Sequence, residues 1–392
     1  MVALTGGKPY AILHGWFREW GLEELMKGAK IKIVTTENAH NTRTGATRRD
    51  FVTAGSAAFL SATMPFLGVG AAPSGDARKA KKRIWIDTHV HVSDVSRDGR
   101  KKREKLLDDM LELLDREHGA DLRFVVSSDM CGYGAALERD PAAMLPANRM
   151  IYELCRRAPG RLYGSCLINP NFTDEALRVM KICFEEWGFV QIGEMEQCEH
   201  HYKMTDPGTE KVIKAAVGYD VPMQVHVGTY INWRRVGPKY EKSEEGFRQL
   251  ADMMQAAERV PEAKFIIAHA IGCGPNSDYI PWAGMIIDTL KTVYPTHPRN
   301  FWLEIRDFHC PALPRAIREL PTDRLLCGTD YTTRIGPPFQ TYGTMFGVKE
   351  ENNPYPPGVE TFVGFLRKAG ASESDISRIA YENARELYKF PA

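Results

Sequence analysis

No two of the eight cysteines form a C-x-x-C pair, so a cysteine-built zinc site has no basis in this chain. Several sit inside apolar runs, as in LYGSCLI and RLLCGTD, where a thiol behaves as a small buried hydrophobe. A disulfide framework is unnecessary at this length. An excess of either charge is missing too. Fifty-one lysines and arginines face 50 aspartates and glutamates, which removes the electrostatic ground for a nucleic-acid partner. There is no internal repeat and no low-complexity tract. No glycine-rich phosphate turn follows an early strand, which counts against a doubly wound open sheet.

What remains is a composition suited to a folded enzyme: 43% apolar and 26% charged residues in a chain of 392. A (β/α)₈ barrel needs about 250 residues and fits with room for additions.

The first 83 residues read as preceding the fold, with an export signal inside them. Residues 47–53 are T-R-R-D-F-V-T, followed by a weakly apolar, alanine- and glycine-rich run from Ala54 to Gly70. An arginine pair, a mild apolar segment and a V-x-A site resemble a bacterial twin-arginine export signal with cleavage after Ala71. The competing readings are a core helix or a membrane anchor, but the run is short and only weakly apolar for a span. The expected organisation is an unassigned extension over 1–46, the signal over 47–71, a linker over 72–83 and the barrel over 84–392. Export to the periplasm in the folded state would let a metal be acquired in the cytoplasm, ahead of tighter-binding competitors.

From residue 83 on, short β-like runs alternate with helical patterns. RIWIDTHVHV, LRFVVSS, RLYGSCLIN, FVQIG, VPMQVHVG, AKFIIAHAIG, NFWLEIRD and DRLLCGTDY are eight strand candidates, each followed by a helical stretch. Near-continuous apolar strands in such an alternation predict an α/β fold, a parallel TIM-like barrel. The Pro/Gly-rich stretch 336–358 reads as a loop after strand eight, on the catalytic face of a barrel.

His89 and His91, at i and i+2 near a strand end, project to one side, and two neutral imidazoles suit a borderline divalent ion. An H-x-H pair alone is a weak signal, as easily two surface histidines. His226 ends strand five, His269 strand six and Asp330 strand eight, and in a barrel those ends converge on one mouth. Glu194 at the end of strand four is a second-metal ligand, a substrate contact or a salt-bridged carboxylate. Glu304 and Arg306, near the end of strand seven, either meet substrate or form a structural pair. His200 and His201 read as loop residues and outside candidates for ligation. The basic runs at 78–83 and 100–103 read as solvated.

DTHVH, VPMQVHV, FIIAHAIG and LLCGTDY, in that order, resemble the successive signatures of the amidohydrolase superfamily. GFVQIG and the closing IAYENARELY are similar to the branch containing aminocarboxymuconate-semialdehyde decarboxylase. The resemblance spans about residues 84 to 390. It implies one catalytic divalent ion, zinc being the expected element, on His89, His91, His226 and Asp330, with a second ion near Glu194 as the less favoured arrangement. It implies that His269 hydrogen-bonds the metal-bound water or the substrate, with Asp330 accepting a proton. The first functional expectation is a hydrolase in which activated water attacks a small amide, lactone or cyclic substrate. The alternative is a decarboxylase of a carboxylated aromatic or muconate-like acid, which an arginine clamp from Arg306 or Arg334 would favour. A non-catalytic exported binding protein is the reading from another class, and retention of five polar site positions argues against it. The expected partners are a small-molecule substrate, the twin-arginine export machinery and, as a candidate, a second copy of the chain.

Overall fold

Apolar residues on both faces of a strand favour a parallel sheet covered by helices, and the computed structural model of the protein has that arrangement. It describes residues 82–92, most of 108–128 and of 137–227, then 242–272, 280–293, 300–333 and 358–391. These belong to the compact unit Ala77–Ala392. The expected extension, export signal and most of the linker lie outside the described residues, as do Arg334, the basic run at 100–103 and most of the loop after strand eight. No helix among the described residues is long and apolar enough to cross a membrane.

The strands are β1 (Arg83–Val92), β2 (Ala120–Ser128), β3 (Leu162–Cys166), β4 (Gln191–Glu196), β5 (Met223–His226), β6 (Phe265–Ile271), β7 (Phe301–Ile305), β8 (Leu325–Cys327) and β9 (Tyr331–Thr333). Every neighbouring pair from β1 to β8 is parallel. The eighth strand candidate of the sequence is split in two. Its first part, β8, pairs with β7, and its second, β9, pairs with β1. The barrel is a (β/α)₈ barrel closed across that split, with Gly328, Thr329 and Asp330 between the two parts.

The helices fall where the apolar periodicity places them. They include α1 (Met144–Arg157), α2 (Thr173–Lys181), α3 (Pro207–Tyr219), α4 (Lys242–Arg259), α5 (Ile280–Val293), α6 (Leu313–Glu319) and α7 (Val359–Lys368). The closing helical segment runs through α8 (Glu373–Ser377), a π-helical turn (Arg378–Glu382) and α9 (Asn383–Tyr388). Ser372 starts it with a capping box shared with Asp375.

Two apolar layers hold the barrel. The larger lies between strands and helices and includes Trp85, Phe124, Met195, Val225, Phe265 and Leu303. The smaller brings Ile86, Val125, Ile266, Trp302 and Leu326 from five strands together with Leu387, Tyr388 and Phe390. The closing helix therefore packs against the interior side chains of the first part of the strands. Above that layer, towards the carboxyl ends, the buried residues turn polar: Thr88, Gln191, Gln224 and Glu304 are each at most 1% exposed. Barrel interiors are ordinarily filled with branched apolar side chains. This one has an amide- and carboxylate-bearing layer at mid-height.

Candidate metal centre

Irregular strand pairing aims the site residues. Between Asp87 and Val90 β1 advances three residues while β2 advances two, from Phe124 to Val126. β4 does the same against β5 between Ile192 and Met195, and β6 advances four residues against two of β7 between Ile267 and Ile271. Each extra residue breaks the two-residue alternation and re-aims the side chains beyond it. Thus Ile86 and Thr88 face inward below the irregularity in β1, and His89 and His91 above it. Gln191 gives way to Glu194 in β4, and Ile266 to His269 in β6. β5 and β7 keep regular alternation, which brings Gln224 and His226, then Trp302 and Glu304, to the interior. His269 and Asp330 have positive φ, 43° and 56°, a region costly for residues other than glycine and often reserved for functional positions.

The side chains meet closely. His89 Nε2 and His91 Nε2 lie 2.9 Å apart. Asp330 Oδ1 is 3.7 Å from the first and 3.5 Å from the second. His226 Nδ1 and His269 Nε2 reach the same Glu194 oxygen, at 2.9 and 2.8 Å. The other oxygen of Glu194 lies 3.3 Å from His89 Nε2 and 3.4 Å from His91 Nε2. One carboxylate thus touches all four histidines. The donor atoms form two overlapping groups compact enough for a cation: His89, His91 and Asp330, and His89, Glu194 and His269. His226 joins the cluster through Glu194 and is in neither group.

The electrostatics follow from this crowding. Burial opposes protonation of His89, but the carboxylates of Glu304 and Glu194 outweigh it and hold its pKa well above the ordinary imidazole value. His91 is also raised against burial, chiefly by its hydrogen bond to Glu194. Burial opposes ionisation of Glu194, yet the charges on His89, His269 and His226 bring its pKa well below the usual carboxylate range. For His269, burial prevails and the pKa is lowered. A buried set of ring nitrogens and carboxylate oxygens that share protons when no ion is bound has the chemistry to hold a divalent cation. The residues fit the metal that the sequence implies.

Behind the donors stands a supporting set. Glu304, fully buried, takes His89 Nδ1 at 2.7 Å on Oε2, and Oε1 accepts from Thr88 Oγ1 at 3.1 Å. His91 Nδ1 meets Ser127 Oγ at 2.9 Å. Partners of this kind fix the tautomer and orientation of a ligating imidazole. Asp87 accepts from the backbone N–H of His89 and from both the N–H and the hydroxyl of Thr329, tying β1 to the split that carries Asp330. Sequence reasoning missed Asp87, Thr88, Ser127 and Thr329. A signal existed for Asp87 alone, a carboxylate two residues before His89 in the middle of a strand.

The remaining candidates separate cleanly. Arg306 is partly buried beside the site, with Nε and Nη2 on Asp307 Oδ2 at 3.1 and 3.0 Å and Nη1 3.9 Å from Asp330 Oδ2. His200 is buried and His201 is exposed with a left-handed backbone, and neither belongs to a metal-holding group among the described residues.

Comparison with known proteins shows the same fold. Solved structures with the same fold include dihydroxybenzoic acid decarboxylase from Polaromonas sp. JS666 with bound manganese and the inhibitor 2-nitroresorcinol, at 19% identity and a TM-score of 0.54, covering 78% of this chain and 97% of that one. 5-Carboxyvanillate decarboxylase from Sphingomonas paucimobilis aligns at 16% identity and a TM-score of 0.51, over 79% and 99%. 4-Oxalomesaconate hydratase from Rhodopseudomonas palustris aligns at 15% and 0.53, over 78% and 96%. No curated protein sequence matches the chain. The family model described as amidohydrolase matches residues 86–390, from the strand that carries His89 and His91 to the helix that closes the barrel. The chain belongs to the amidohydrolase family and is a metal-dependent enzyme, and the groups that could hold its metal stand at the carboxyl ends of the barrel strands.

Proposed function

We propose that the protein is a metal-dependent decarboxylase of a small aromatic or unsaturated carboxylic acid. The observation that carries this reading is Arg306, a partly buried guanidinium whose Nη1 lies 3.9 Å from Asp330 Oδ2 at the edge of the donor cluster. A cation there can receive a substrate carboxylate next to the metal-holding groups. Two of the fold relatives are decarboxylases of aromatic acids, in keeping with that chemistry.

A divalent ion held by His89, His91 and Asp330, with Glu194 close by, would supply Lewis acidity and neutralise negative charge on the substrate. Manganese accompanies the Polaromonas relative, and zinc suits an imidazole-rich set, so both are candidates. The chain's own residues would do the rest. Arg306 orients the carboxylate. Asp330 would take a proton from water and pass it to the carbon that bears the carboxylate. As that C–H bond forms, the bond to the carboxylate carbon breaks, its electron pair returns to the unsaturated system, and carbon dioxide leaves. His269, hydrogen-bonded to Glu194, steadies the charge that develops at the mouth.

Hydrolysis of an amide or lactone is the second reading, and one observation favours it. Burial keeps the pKa of His269 low, so its imidazole is poised as a base towards water at neutral pH. A panel of hydroxybenzoates, unsaturated diacids, lactones and amides separates the two readings, with carbon dioxide and ring opening measured together. The expected result is carbon dioxide from an aromatic or unsaturated acid, with Arg306→Met raising KM far more than Arg306→Lys. Ring opening or amide cleavage without carbon dioxide would assign the enzyme to the hydrolases.

A further inference from the structure

The polar layer at mid-barrel forms one directed chain of hydrogen bonds ending at a metal donor. Gln224 Nε2 donates to Glu304 Oε1 at 2.5 Å and lies 3.3 Å from the Thr88 carbonyl. Gln191 Nε2 donates to Gln224 Oε1 at 3.1 Å and to Ser165 Oγ at 3.2 Å. The Tyr388 hydroxyl, at the end of α9, donates to Gln191 Oε1 at 2.6 Å. Glu304 Oε2 meets His89 Nδ1 at 2.7 Å and the backbone N–H of His269 at 3.3 Å.

The direction of the chain is set from its carboxylate end. Glu304 receives hydrogen bonds on both oxygens, so the amide of Gln224 must present nitrogen to it and oxygen to Gln191. Gln191 must then present nitrogen to Gln224 and oxygen to Tyr388, and a tyrosine hydroxyl can close the series as a donor. Turning either amide over would set oxygen against oxygen or nitrogen against nitrogen. Buried amides are costly unless fully paired, and an apolar layer would serve stability as well or better. A fully paired polar layer gives what apolar packing cannot, a fixed direction for the carboxylate at its end.

We propose that Gln224 is a positioning residue of the metal centre, itself held by Gln191 and the Tyr388 hydroxyl, so that the closing helix sets the orientation of Glu304 and through it of His89. Gln224 and Tyr388 touch neither substrate nor metal in this scheme. They act by limiting how far Glu304, and with it the His89 ring, can turn. The inference concerns the metal centre alone, so it stands or falls apart from the choice between decarboxylation and hydrolysis.

The test uses the full chain, stripped of metal, with Mn²⁺ affinity read by competition with a chelator and melting temperature read alongside. Gln224→Met keeps the length of the side chain and removes its hydrogen bonds. It should weaken Mn²⁺ binding about tenfold or more, the scale of losing a partner that orients a ligand. Tyr388→Phe should weaken it severalfold, and adding it to Gln224→Met should weaken binding no further, because both act through one path. Gln191→Glu keeps an acceptor for Tyr388 but lacks the donor for Gln224, and should resemble Gln224→Met. Asn300→Leu serves as the control, since it removes a buried hydrogen bond to the Ala263 carbonyl and a partly buried one to the Pro261 carbonyl, both outside this hydrogen-bond series. It should lower the melting temperature with Mn²⁺ affinity unchanged. Parental affinity in Gln224→Met and Tyr388→Phe would overturn the proposal. So would an affinity loss in Asn300→Leu that matches theirs at the same melting temperature. If Gln224→Met does not fold, Tyr388→Phe, which deletes a single oxygen atom, decides the matter.

Discussion

Glu194 changes standing most between sequence and structure at the scale of single residues. As a letter at the end of a strand it is one acid among many, whereas in the fold its two oxygens touch all four site histidines. His226 and His269 share one of those oxygens, so distance alone does not divide their roles, and substitution does. His226→Ala should lower both metal content and activity, in line with the ligand role implied by resemblance. His269→Asn should keep its metal while turnover falls by about 10² or more, the scale of a lost acid–base or electrostatic group. Metal analysis and turnover, measured together on both variants, check this. If His269→Asn loses metal as readily as His226→Ala, the group His89, Glu194 and His269 holds an ion, and two ions per chain become the expected count. Should His269→Asn keep both metal and full turnover, that histidine is only a packed strand-end residue.

Elements place these residues by being imperfect. A regular β1 would leave Ile86, Thr88 and Val90 facing one way, and the irregularity after Asp87 turns His89 and His91 inward instead. Gly328, in the gap between β8 and β9, shows how tightly the parts are fitted. A Cβ there would lie 2.6 Å from Glu304 Cγ, inside the space that Glu304 needs to reach His89. Gly328→Ala should cost about 1–3 kcal/mol of stability through overpacking, and it should weaken metal binding more than its melting temperature alone accounts for. Thermal unfolding and metal titration together check it, and unchanged affinity would show that Glu304 can give way. Eight strands, their order and the polar residues at their carboxyl ends were legible in the sequence, because apolar runs and turn residues signal them locally. The irregular pairings, the split of strand eight and the inward amides of Gln191 and Gln224 were not. Each depends on a neighbour distant in the chain: β1 on β2, β9 on β1, Gln224 on Glu304 eighty residues away. The role of Tyr388 was hidden for the same reason, since its partner Gln191 lies 197 residues back.

For the whole molecule, we propose export by the twin-arginine route from the T-R-R-D-F sequence and the weakly apolar run behind it. Replacing Arg48 and Arg49 together with lysine should hold the protein in the cytoplasm with activity intact. Fractionation with an activity assay reads this out, and normal export of the double variant would reject the route. The split at strand eight bears on the order of events in synthesis. β1, with His89 and His91, leaves the ribosome early, but its second neighbour β9 and the third donor Asp330 come some 240 residues later, and Tyr388 later still. A growing chain can therefore carry two histidines for most of its synthesis before the group His89, His91 and Asp330 is complete. That group would take an ion only in an almost finished protein, so the cell compartment in which the last helix folds would set which metals it meets.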